Sequence, residues 1–139
     1  MTKKDNYLFD NIFAPFCDSE KIFLINDEYE ISYLKFNKIV NQIANTLVSK
    51  GLKAGDRVAV QAEKSVIQIA LYVATIKAGG IYLPLNTGYT TNELDYFIND
   101  SCSSIVIVDS RIENKLKELL DKAIRVSDAF LEKGEIVST

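Results

Sequence analysis

The sequence predicts an α/β fold: a mostly parallel sheet with helices on its faces, preceded by an N-terminal helix and a hairpin. Three observations carry this. From Gly55 onward, strand-like and helix-like segments alternate through four strands and three helices, the order that parallel crossover units require. The strand segments read as continuous apolar runs, as in Ile105-Val106-Ile107-Val108, so both faces of the sheet are to be covered. Helix starts and stops punctuate the alternation, most clearly Gly79-Gly80 and the pair Thr90 and Glu93.

Taken in order, Tyr7 to Phe16 carries Leu8, Phe9, Ile12, Phe13 and Phe16 at helical spacing, limited by Pro15. Lys21 to Ile25 and Glu28 to Ile31 read as a hairpin turning at Asn26-Asp27. Ser32 then caps a helix whose apolar face is Leu34, Phe36, Ile39, Val40, Ile43, Ala44, Leu47 and Val48, ending at Gly51. Arg57 to Gln61 is a strand reached through the turn Gly55-Asp56. The next helix, Ser65 to Ala78, is apolar almost all round, so something must cover its second face.

Gly79 and Gly80 stop that helix, because glycine alone takes the left-handed conformation without a Cβ penalty. Ile81 to Leu85 is the central strand, with Pro84 near its end because proline has no N–H for the ladder. Thr90 followed by Glu93 has capping-box spacing, and Leu94, Phe97 and Ile98 follow at helical intervals. Ser104 to Asp109 is a buried strand. Ser110 and Glu113 repeat the capping-box spacing before a helix through Leu119 and Leu120, and Ala123 to Val126 is a last short strand. The tail from Leu131 is polar, and no repeat, low-complexity stretch or proline-rich linker suggests a boundary. Residues 1–139 are read as one domain or part of one.

Composition narrows the function classes. At 139 residues, 47% hydrophobic and 25% charged, the chain can bury a core without disulfide or metal staples. A formal net charge of −3 with interspersed signs points to neither nucleic acid nor anionic membrane as a partner, and no apolar run reaches the length of a membrane span. The N-terminus does not read as a signal peptide, so a cytoplasmic location is expected. Cys17 and Cys102 lack metal or redox spacing and are expected as buried or half-buried thiols. Histidine is absent, which removes the commonest general base and metal ligand.

The candidate chemistry is each time outweighed by a structural reading. The glycines around Gly51-Leu52-Lys53-Ala54-Gly55 precede a strand, whereas a phosphate loop follows a strand and opens a helix. Glu93, Asp95, Asp100 and Asp109 are candidates for paired carboxylates, but Glu93 is explained by the capping box and Asp100 and Asp109 by element ends. Tyr82 and Tyr89 flank the central turn and are read as core or rim packing. Lys64 and Ser65 sit where a ligand could be reached, yet read as a solvated lysine and an N-cap. No catalytic, cofactor-binding or metal-ligating residue is assigned.

KAGGIYLPLN (Lys77 to Asn86) followed by TGYTTNELDYFI (Thr87 to Ile98) resembles a signature of the adenylate-forming, AMP-binding enzymes. These include acyl-CoA synthetases, nonribosomal peptide adenylation domains and luciferases. Ile31 to Leu47 and Gly55 to Ser65 resemble the family's preceding segments in the same order. Together VAVQAEKS and YLPLNTGYT look most like the malonyl-CoA synthetases. Gly88 stands where that pattern has alanine, which loosens the turn.

The resemblance implies an N-terminal subdomain of an acid–CoA ligase, whose complete form uses ATP, magnesium and coenzyme A. Acid is activated to an acyl-adenylate and its acyl group passes to the thiol. The family's Ser/Thr/Gly-rich phosphate loop, Tyr-Gly-x-Thr-Glu segment, ribose-binding Asp and catalytic Lys have no matching string here, so none of their roles transfers to a numbered residue.

Two function classes follow. One is a ligase part completed by a second polypeptide; the other is a non-catalytic remnant or interaction module of a split or decaying gene. Lysine outnumbers arginine thirteen to three within a total of 16, as in AT-rich coding sequences where such genes are unsurprising. With the rest of the fold elsewhere, an exposed apolar patch or a self-association surface is expected near the central strands or the Ser65 helix.

Overall fold

A computed structural model describes residues 6–25, 27–28, 30–108 and 123–125. The N-terminal segment forms helix α1 (Tyr7–Ile12), capped by Asn6, whose side chain accepts from the Phe9 N–H at 3.3 Å. The helix ends sooner than the apolar stripe suggests. Pro15 cannot donate back into an α-helix, and Ala14–Phe16 continues as one 3-10 turn with Pro15 in its first positions. Of the stripe, only Phe9 is buried; Phe13 is half-buried, and Leu8, Ile12 and Phe16 are exposed.

Strands β1 (Ile22–Ile25) and β2 (Glu30–Ser32) pair antiparallel, with Ile25 opposite Glu30. That register leaves four positions, 26 to 29, between the strands, so the loop is longer than a two-residue Asn26-Asp27 turn. Glu28 lies in a bend rather than in the second strand, and Asn26 lies outside the described residues. Ser32 then caps helix α2 (Tyr33–Ser49), accepting from the Lys35 N–H at 3.1 Å. Phe36, Val40, Ile43, Ala44 and Leu47 form its buried face, while Val48 is 55% exposed.

The main sheet has β3 (Arg57–Gln61), β4 (Ile81–Pro84), β5 (Ile105–Val108) and β6 (Ala123–Arg125) in the order β4-β3-β5-β6, so among the described residues the segment read as the central strand stands at the edge, and β3 and β5 are central. All three pairings are parallel. Helix α3 (Val66–Lys77) links β3 to β4, and helix α4 (Thr91–Ser101) links β4 to β5. Ser110, Glu113 and the helix expected after them lie outside the described residues, as do Asp109 and Val126.

Helix ends follow local chemistry. After α3, the Gly79 N–H bonds the Ile76 carbonyl at 3.0 Å and the Gly80 N–H bonds that of Thr75 at 2.9 Å, with Gly79 at φ 86. This is a Schellman stop, and the left-handed position needs glycine. Gly80 is there for a different reason: a Cβ would stand 3.2 Å from both Leu52 Cδ2 and Thr75 Cγ2.

The sheet has a core on each face. Val58, Val60, Ile105 and Ile107 join Phe36, Val40, Ile43 and Leu47 of α2 and Ala70, Leu71, Val73 and Ala74 of α3. The alternate residues Ala59, Val106 and Val108 join Leu85 and, from α4, Leu94 and Ile98. Period-2 alternation divides each strand between two layers of helices. The second face of α3 is covered by α2 and, near its end, by α1.

Candidate functional site

Because α3 lies on one face and α4 on the other, the direction of the chain reverses at β3, between β3 and β5. In open parallel sheets this is where ligands are held. Gln61 ends β3 here, opposite Val108 of β5, and is 2% exposed. Its Nε2 donates to the Asn86 carbonyl at 2.8 Å, while its Oε1 is buried without a hydrogen-bond partner. In the sequence Gln61 is only the polar end of the apolar run Val58-Ala59-Val60, and its amide is placed by a turn twenty-five residues away.

The other polar groups at this end are committed to local structure. Ser65 Oγ accepts from the Gln68 N–H at 3.1 Å and caps α3. At α4, Thr90 Oγ1 accepts from the Glu93 N–H at 3.2 Å and Glu93 Oε2 accepts from the Thr90 N–H at 2.7 Å, completing the capping box. Asn86 Oδ1 accepts from the Gly88 N–H at 2.8 Å, folding the turn between β4 and α4. Lys64 is exposed. These hydroxyls and the Glu93 carboxylate are therefore spent on helix starts.

The remaining carboxylates are dispersed. Asp95 is exposed and accepts from Asn99 Nδ2 at 3.1 Å; Asp100 is exposed near the end of α4; Asp109 lies outside the described residues. Among the described residues no three His, Cys, Asp or Glu side chains could together hold a metal ion. No described helix is long and apolar enough to cross a membrane.

Tyr82 and Tyr89 both pack. Tyr82 meets Tyr72 edge to face with ring centres 5.1 Å apart, and Tyr89 stacks on Phe97 at 4.9 Å. Burial pushes the Tyr82 phenol above its ordinary pKa, partly offset by a hydrogen bond from Gln68. Burial likewise raises the Cys17 thiol; nearby Lys77 opposes this and Asp18 adds to it. Cys17 is half-buried as expected, whereas Cys102 is exposed, because it ends α4 in the left-handed conformation at φ 52.

A second polar cluster joins helices α1, α2 and α3. Lys77 Nζ donates to Asn41 Oδ1 of α2 and lies 4.8 Å over the Phe9 ring of α1. Asn6 Nδ2 donates to the Ile76 carbonyl at 2.6 Å. An open groove of about 640 Å³ runs here between Asn6, Tyr7 and Asp10 on one side and Lys77 to Gly80 on the other. The ammonium is already occupied by the amide and the ring, so this cluster ties helices together.

Comparison with known proteins agrees with this architecture. A family model described as "AMP-binding enzyme" matches residues 15–138. The structure of apo MatB from Rhodopseudomonas palustris superimposes on 98% of the chain with a TM-score of 0.81 and 35% identity, and the chain covers 30% of it. Vanchrobactin synthetase VabF of Vibrio anguillarum is 36% identical over 69% of the chain, which spans 3% of that protein. Bacitracin synthase 3 of Bacillus licheniformis is 30% identical over 77% of the chain, which spans 2% of its length. The chain thus covers a small part of its relatives, and its fold is a partial N-terminal subdomain of the adenylate-forming architecture. With the match running over nearly its whole length, the chain belongs to the AMP-binding enzyme family.

Proposed function

We propose that this chain is the N-terminal part of a cytoplasmic ATP-dependent acid–CoA ligase of the malonyl-CoA synthetase kind, and that it does not activate an acid by itself. The supporting observation is the superposition on MatB, at 35% identity over 98% of this chain. An ATP-bound MatB structure superimposes at 36% identity with the same coverage.

The described residues do not fit a nucleotide on their own. The N-termini of α3 and α4 are capped by Ser65 and Thr90, and among the described residues no glycine-rich turn carries a β-strand of the sheet into a helix. ATP, magnesium and coenzyme A are therefore assigned to the remainder of the fold, on the same or a second polypeptide. The contribution of this chain is a scaffold: a doubly covered parallel sheet and the capped turn between β4 and α4.

A second reading, an adenylation unit of a peptide synthase, is favoured by relatives such as vanchrobactin synthetase VabF and bacitracin synthase 3. The two are separated by joining the chain to the remainder of a MatB-like fold and, separately, of a peptide-synthase-like fold, and measuring which joined protein folds and supports pyrophosphate exchange with the acid of its added part. The isolated chain is expected to show no exchange and no saturable ATP binding by calorimetry. Micromolar ATP affinity in the isolated chain overturns the first reading; a joined protein that exchanges with no acid favours a non-catalytic remnant.

A further inference from the structure

We draw no further inference here: the strongest candidate, the open groove between the start of α1 and the end of α3, is lined by Lys77, whose ammonium is already held by Asn41 and the Phe9 ring, and nothing in the structure shows what covers it.

Discussion

Among the described residues, the two faces of the parallel sheet are built differently. One carries α1, α2 and α3 over a cluster of sixteen buried residues, including Phe36, Ile43, Leu47 and Leu71. On the other, α4 is the covering helix among the described residues, and the buried cluster has six members, with Leu94 and Ile98 as its helical contribution. The thicker face also carries the cross-helix ties from Lys77 to Asn41 and Phe9. On the α4 face the capping box starts the helix, and the Gln61 amide meets the turn before it. Among the described residues Leu71 meets both the sheet and helix α2, and packing against several elements leaves little room for relaxation.

Truncating the core tests this contrast most strongly. Leu71→Ala is expected to cost about 2–5 kcal/mol, in the upper part of that range, because Leu71 is enclosed between sheet and helices. Leu94→Ala should fall in the lower part. Denaturant unfolding measures both, and a larger loss at Leu94 would reverse the comparison.

Next comes Thr90→Ala, expected to destabilise by roughly 0.5–2 kcal/mol through loss of the cap. Hydrogen exchange should show the loss concentrated in α4, with α2 little affected. An unchanged denaturation midpoint would show that α4 does not depend on its cap.

A smaller effect is expected at Tyr82, on the thicker side. Its phenol has a pKa raised above 10.0 by burial, so the folded state favours the protonated form. The sign follows from linkage: this contribution is intact below pH 10.0, and is lost as pH rises from the unfolded value through the folded one. Tyr82→Phe should leave stability at neutral pH little changed and should reduce the alkaline loss of stability. A pH–stability curve with the same alkaline slope in both proteins would contradict this.

The smallest effect is expected from Gln61→Met. The change removes one hydrogen bond but also an unpaired buried oxygen, and the Asn86 carbonyl belongs to an exposed turn residue, so stability should stay within about 1 kcal/mol of the original. A loss well beyond that would show that the α4 face rests on the Gln61 amide.

Legibility in the sequence divided along the same physical line. The caps at Ser32, Ser65 and Thr90 and the stop at Gly79-Gly80 were all readable, because each involves groups within one helical turn. Strand β3 has the bounds its apolar run suggests, and the unbroken run of β5 is buried at all four positions. The hairpin loop was misjudged, since its length follows from the pairing of Ile25 with Glu30 across the strands. Val48 and Cys102 were expected in or near the core, but packing of α2 and the left-handed end of α4 turn them outward. Gln61 carried no local signal of its buried, half-satisfied amide, which arises from a turn twenty-five residues away.

What the amino-acid sequence by itself determined is therefore most of the described elements, the caps of α2, α3 and α4, the stop of α3, the parallel character of the sheet and the family. These rest on side-chain type and spacing over a few residues, and on motifs held in one order. Tertiary structure alone decided the strand order β4-β3-β5-β6, the division of the described core between two faces, and the shielding of α3 by α2 and α1. It also decided the isolation of Gln61 Oε1. Those features depend on contacts between segments far apart in the chain, where many pairings satisfy the same local pattern and burial selects among them.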